Sequence, residues 1–238
     1  MRVVSLVPSL TETIARSAPP GTLVGATDWC TRPADLDVTR VGGTKNPKIE
    51  RILALAPDLV IANEEENRPQ DLAALREAGV EVLVTEVRDV PQAFRELARV
   101  LRACGVGVRP RWLDAAEDAW PMPAAPRVTA VVPIWRRPWM VVGRDTFAGD
   151  VLSRLGVDHL YAGHAERYPC VPLEELRAAA PDVVVLPDEP YRFTAEDGPE
   201  AFPGLPCALV SGRHLTWYGP SLAEAPRVLG AALRAALR

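Results

Sequence analysis

An internal repeat constrains this chain more than any other feature. Residues 49–62, Ile-Glu-Arg-Ile-Leu-Ala-Leu-Ala-Pro-Asp-Leu-Val-Ile-Ala, align without gaps on residues 173–186, Leu-Glu-Glu-Leu-Arg-Ala-Ala-Ala-Pro-Asp-Val-Val-Val-Leu, at an offset of 124 residues. Glu50/Glu174, Ala54/Ala178, Ala56/Ala180, Pro57/Pro181, Asp58/Asp182 and Val60/Val184 are identical pairs. Each copy reads as a short helix halted at Pro-Asp, because proline cannot continue a helix and disfavours helical backbone in the residue before it. The chain then enters a strand apolar enough to be buried on both faces. A unit duplicated at this distance calls for two similar α/β lobes.

The 238 residues suffice for two small cores without disulfides. With 48% apolar and 24% charged residues the composition is that of a globular protein and excludes disordered, collagenous and coiled-coil classes. The longest uncharged apolar runs are strand-sized, such as Val183–Pro187, too short to span a bilayer. A net charge of −4 without a dense basic block argues against nucleic acid as a partner. The four cysteines, at 30, 104, 170 and 207, form no C-x-x-C pair, and free thiols are expected. His159, His164 and His214 lack the spacing of a metal-binding helix face, so no metal ligand is assigned. No nucleophile elbow, phosphate loop or dinucleotide fingerprint is present, and no enzymatic activity is expected. Arg2–Pro8 enters a strand at once, without a charged and apolar leader, so the chain as written carries no export signal, and a cytoplasmic location is expected if the sequence as written is the full translation product.

Strands are expected at Val3–Val7, Leu23–Thr27, Leu59–Ala62, Val80–Thr85 and Val128–Val132, with helices at Ile49–Ala56, Leu72–Ala78, Pro91–Ala103 and Arg111–Ala119. Ser9, followed by Glu12, is expected to cap the first helix. Pro121–Pro126 reads as a stiff turn. The lobes are therefore residues 1–90 and 127–238, with a helical connector at 91–126. Ligands of parallel sheets sit at the carboxyl ends of the strands, which directs attention to the loops that follow them.

Val3-Val4-Ser5-Leu6-Val7-Pro8-Ser9-Leu10-Thr11-Glu12, Thr27-Asp28-Trp29-Cys30, Val41–Pro47 and Leu53–Ala62 resemble the substrate-binding proteins of iron-siderophore and cobalamin ABC importers. Ile134–Met140, Gly143–Phe147, Glu189-Pro190-Tyr191 and Trp217-Tyr218-Gly219 resemble its subgroup of helical-backbone metal receptors. The resemblance implies two nitrogenase-like lobes of the class III periplasmic-binding-protein type, joined by a helical connector. It also implies a monomer, an extracytoplasmic location, and a cobalamin, heme or ferric siderophore held in the interlobe cleft. Such a metal chelate would be transported cargo, with no intrinsic cofactor. By the same resemblance Glu50 and Glu174, mates in the repeat, would dock on an ABC permease; the alternative is that each is a first-turn acid favoured by the helix dipole. Another reading of the same scaffold is a cytoplasmic enzyme or a metal-cofactor handling protein.

Trp135, Arg136 and Trp139 follow the strand Val128–Val132, and planar aromatics with guanidiniums suit a flat, acid-bearing ligand. Trp29 follows the second strand, and Trp217 and Tyr218 form a third aromatic pair. Arginine occurs 25 times against two lysines, both in one segment, which singles out Lys45 in the Gly42–Pro47 turn. Glu189 and Tyr191 complete the candidates for ligand contact. Glu64, Glu65 and Glu66 read as a solvated loop.

Overall fold

A computed structural model describes residues 1–120, 122, 125 and 127–238. The expected turn at Pro121–Pro126 lies largely outside the described residues. The chain divides into two compact units, one formed by Met1–Val87, Pro91–Asp114 and Tyr218–Pro220, the other by Arg88–Val90, Ala115–Trp217 and Ser221–Arg238.

The first unit contains β1 (Val3–Ser5), α1 (Pro8–Ser17), β2 (Leu23–Ala26), β3 (Thr39–Arg40), α2 (Ile49–Ala54), β4 (Leu59–Asn63), α3 (Pro69–Glu77) and β5 (Glu81–Thr85). Its strands pair in parallel in the order β3-β2-β1-β4-β5. All residues of β1 and β4 are buried, as central parallel strands covered on both faces require. Val4, Leu6, Ile52, Val60, Leu72 and Leu75 form one cluster beneath the helices. In α4 (Val90–Ala103), Val90, Ala93, Phe94, Leu97, Val100 and Leu101 are buried at helical spacing. The division between the units falls within α5 (Arg111–Ala119).

The second unit contains β6 (Val128–Val131), β7 (Pro133–Arg136), β8 (Trp139–Val141), α6 (Phe147–Arg154), β9 (Val157–His159), α7 (Leu173–Ala178), β10 (Val183–Pro187), β11 (Cys207–Val210), α8 (Gly212–Thr216) and α9 (Ala225–Ala236). Its parallel sheet has the order β11-β10-β6-β9, and β7 and β8 form a separate antiparallel hairpin. Val131, Leu176, Val184, Leu186, Phe193 and Phe202 form its core. Two parallel-sheet α/β lobes with flanking helices are thus the architecture the repeat called for.

The two copies match in backbone detail. Helices α2 and α7 have six residues each. Ala56 and Ala180, after them, both adopt left-handed backbone, with φ of 43° and 45°. In each copy the aspartate after the proline reaches back to the first strand of its own lobe. Asp58 Oδ2 accepts from the Arg2 amide at 2.6 Å, and Asp182 Oδ2 accepts from the Thr129 amide at 2.7 Å. These bonds to the Thr129 amide and hydroxyl hold the Asp182 carboxyl below its ordinary range. The motif therefore ends a helix and ties the next strand to its neighbour.

One local expectation fails. Helix α1 begins at Pro8, with Val7 at the cap position and no side-chain cap. Proline at the first helical position needs no amide partner and presets φ, so Ser9 lies inside the helix and is buried. Glu12 pairs with Arg16 at 3.0 Å instead of closing a capping box.

Candidate functional site

In the first unit the loops after β2, β3 and β4 bring Trp29, Lys45 and the Glu64–Glu66 run to the carboxyl edge of the sheet. Trp29 is 68% exposed, an unusual state for an indole. Its Nε1 lies over the Gly43 turn, 3.7 Å from where a Cβ on Gly43 would stand. The turn folds on itself through a bridge between Gly42 and Pro47, and Gly42 has φ of +94° with 3.0 Å between a Cβ position and Asn46 O. Beneath it Cys30 is buried, with Thr11 Oγ1 and Thr27 Oγ1 at 3.0 and 3.1 Å from its sulfur. Burial pushes this thiol up, so it is an inert core group.

Side-chain bonds pin the loop after β4. Asn67 Oδ1 accepts from the Asn63 amide at 2.9 Å, and Asn67 Nδ2 donates to Thr44 O at 3.0 Å. Asn63 Oδ1 accepts from the Glu65 amide at 2.9 Å, while Asn63 Nδ2 donates to Thr85 O at 3.0 Å. Lys45 Nζ donates to Glu65 O. The expected solvated loop is therefore ordered, and of the three acids Glu64 is exposed while Glu65 and Glu66 are half-buried. Loss of solvent pushes the half-buried Glu66 carboxyl up to about 7; Lys45 opposes this and Glu65 adds to it. Glu66 is not among the ligand contacts expected from the sequence. Its signal was an acidic run directly after a fully apolar strand.

In the second unit the β7–β8 hairpin follows β6 and presents Trp135, 43% exposed. Trp135 meets Tyr191 edge to face, with ring centroids 5.6 Å apart at 79°. The Tyr191 hydroxyl donates to Asp197 Oδ2 at 2.6 Å, which fixes the ring. Glu189 Oε2 accepts from Trp217 Nε1 at 2.8 Å, and the Arg213 guanidinium stands 5.9 Å from the Trp217 ring centroid. Gly212 makes this approach possible, because a Cβ there would lie 2.5 Å from the Glu189 amide nitrogen. Trp135, Glu189, Tyr191 and Trp217 thus gather at the carboxyl ends of β6, β10 and β11.

Three expected ligand contacts are engaged inside their own units. Arg136 is paired with Asp197 and Glu200 and lies 5.5 Å from the Trp139 ring centroid. Trp139 stacks on Phe193 at 6.0 Å and meets Phe202 edge to face at 5.4 Å. Tyr218 is buried in the first unit, where loss of solvent raises its hydroxyl well above its ordinary range. Its neighbour Trp217 belongs to the second unit. The exposed guanidiniums of Arg137 and Arg192 adjoin the Trp135–Tyr191 pair in sequence, and neither forms an ion pair among the described residues.

Glu50 and Glu174 are exposed in the first turns of α2 and α7, at equivalent places in the two lobes. Among the described residues no group of three or more His, Cys, Asp or Glu side chains is arranged to hold a metal ion. His159 is buried, and His214 Nε2 lies 3.1 Å from Glu224. No helix among the described residues is long and apolar enough to cross a membrane.

The profile of the periplasmic binding protein family matches residues 3–106. The vitamin B12-binding protein of Vibrio parahaemolyticus is 25% identical over 191 residues, which cover 77% of this chain and 69% of that protein. The vitamin B12-binding protein of Pectobacterium atrosepticum is 21% identical over 197 residues, covering 78% and 71%. Among solved structures, the periplasmic heme-binding protein BhuT in complex with two hemes superposes with a TM-score of 0.80 at 26% identity, covering 100% of this chain and 99% of the other. The vitamin B12-binding protein BtuF of Vibrio cholerae gives 0.76 at 21% identity, covering 100% and 98%. The family and these relatives are binding proteins. In sequence and in fold this chain is thus similar to vitamin B12-binding and heme-binding proteins.

Proposed function

We propose that this chain is a non-catalytic receptor that holds a metal chelate or corrinoid, of the class formed by cobalamin, heme and ferric siderophores, as the extracytoplasmic component of an ABC importer. The observation that carries the reading is the collection of accessible aromatic and polar side chains at the carboxyl edges of both sheets: Trp29 and Lys45 on the first, Trp135, Glu189, Tyr191 and Trp217 on the second. Rings suit the flat face of a macrocycle, and polar groups suit its periphery. Arg137 and Arg192, which form no ion pair among the described residues, supply guanidiniums next in sequence to the Trp135–Tyr191 pair, whereas the guanidinium of Arg136 serves its internal ion pairs. The names of the relatives, vitamin B12-binding and heme-binding proteins, support the ligand class.

Glu50 and Glu174 are the docking points for the permease in this reading. Their support is equivalence in the repeat and exposure on matching helix turns, which offers two similar electrostatic contacts to one partner. Titration of cyanocobalamin, hemin and a ferric siderophore against the fluorescence of the six tryptophans tests the ligand class. One of the three is expected to quench saturably and raise Tm; no response to any of them rejects the class. The double variant Glu50→Ala/Glu174→Ala is expected to keep ligand affinity and lose transport with the permease. Loss of ligand affinity instead would assign these acids to the binding site.

A further inference from the structure

Resting on the receptor reading, we propose that Glu66 is a ligand-contacting acid that selects a chelate presenting a hydrogen-bond donor or a cationic group to the first lobe, such as an amide-bearing corrinoid, over one whose periphery is carboxylate. Three observations support it. Glu66 follows β4 at the carboxyl edge of the sheet, in the same loop cluster as the exposed Trp29. Its loop is held from three sides by Asn63, Asn67 and the Lys45 ammonium, so the backbone that carries Glu66 is fixed before any ligand arrives. The carboxyl accepts no side-chain or backbone hydrogen bond among the described residues, although it is half-buried. A carboxylate partly withdrawn from water without donors is costly unless a partner supplies them.

The charges around it decide which partner fits. Lys45 faces Glu66 from the turn after β3, Glu65 from its own loop, Cys30 from the loop after β2 and Tyr218 from the returning segment. The Cys30 thiol and the Tyr218 hydroxyl are uncharged at neutral pH, since burial raises both. The fixed charges are therefore one ammonium, already bonded to Glu65 O, against the adjacent carboxyls. A ligand carboxylate brought here would meet like charge, whereas an amide N–H or a cation would complete the hydrogen bonding of Glu66. Because the free carboxyl titrates near 7, a donor or cation that holds it ionised must displace its proton, and binding becomes pH-dependent.

The test is the dissociation constant of dicyanocobinamide, cyanocobalamin and hemin, read by tryptophan quenching at pH 6 and pH 8, for the wild type, Glu66→Gln and Lys45→Met, each checked for folding by its thermal melt. The wild type is expected to bind a corrinoid more tightly than hemin, and about tenfold more weakly at pH 6 than at pH 8, the ratio for one proton released from a group with pKa near 7. Glu66→Gln should erase the pH dependence. Lys45→Met should move its midpoint to higher pH, since the ammonium holds the carboxyl down. Tight binding of hemin with corrinoids excluded, a pH-independent affinity, or binding that strengthens on acidification overturns the assignment of Glu66 while leaving the receptor reading intact. Failure of all three to bind the folded wild type overturns this proposal, and failure of a ferric siderophore as well overturns the receptor reading.

Discussion

Trp135 and Trp139 lie four residues apart on one hairpin, yet the structure gives them opposite tasks, and replacing each by alanine separates those tasks. Trp139 loses a stacked contact with Phe193 and an edge contact with Phe202. Such aromatic pairs contribute about 0.5–1.5 kcal/mol each beyond the area they bury. The guanidinium of Arg136 over the ring adds about 0.5–1 kcal/mol. Fully buried tryptophans lose about 3–5 kcal/mol on truncation, and for this half-buried ring the low end, about 3 kcal/mol, applies. In a chain of this length that corresponds to a fall in Tm of roughly 6–12 °C. Trp135, more exposed and with Tyr191 as its ring partner, should lose only about 1 kcal/mol of stability. Its variant should instead weaken chelate binding by about 1–3 kcal/mol, the range for an interface anchor. Urea unfolding and tryptophan quenching on the same preparations measure both quantities. A Trp139→Ala protein with an unchanged urea midpoint and no chelate affinity would refute this division of labour. So would a Trp135→Ala protein destabilised as much as Trp139→Ala.

Three further outcomes follow from the same structure. Gly212→Ala places a methyl group 2.5 Å from the Glu189 amide nitrogen, so the Glu189 loop must shift and the Trp217–Glu189 bond should be lost, at about 1–3 kcal/mol of stability by urea unfolding. Burial lowers the pKa of His159, with Asp158 and a bond from the ring to the Val142 backbone opposing it, so the fold favours the neutral ring. Its stabilising contribution is complete above the unfolded value, about 6.5, and falls as pH drops through the folded value. Glu66 acts with the opposite sign: its raised pKa removes stability as pH rises from about 4.5 towards 7. Urea midpoints at pH 5 and pH 7.5 in a Glu66→Gln background should therefore fall on acidification, and His159→Gln should flatten that slope. Ala56→Gly and Ala180→Gly, at left-handed positions, should leave stability unchanged or raise it by up to about 1 kcal/mol, whereas Ala56→Val should lower Tm.

The duplicated architecture was legible in the sequence because its signal is local. Central parallel strands are continuous apolar runs, and both β4 and β10 are announced by the same Pro-Asp stop, so the lobes could be read from residues 49–62 and 173–186 alone. Elements without that punctuation were less visible. The β7–β8 hairpin is built on Trp-Arg-Arg-Pro-Trp, which lacks the alternation of a half-buried strand and carries no strand signal in the sequence. Arg136 and Trp139 attracted attention for their chemistry, but their partners Asp197, Glu200, Phe193 and Phe202 lie more than fifty residues downstream. Spacing cannot encode such contacts. Glu66 is the converse case. A run of three acids looks solvated until Asn63, Asn67 and Lys45 are seen to order its loop, and two of those bonds come from a turn some twenty residues away.

The most direct measurement of the receptor claim is equilibrium dialysis of the purified chain against cyanocobalamin, hemin and a ferric siderophore, with the retained chelate quantified by its absorption spectrum. One of the three should be retained chemically unchanged and saturably, and a Trp29→Ala/Trp135→Ala protein with a normal melt should lose it. Retention of none by the folded wild type, or conversion of the chelate into a product during dialysis, would contradict the account.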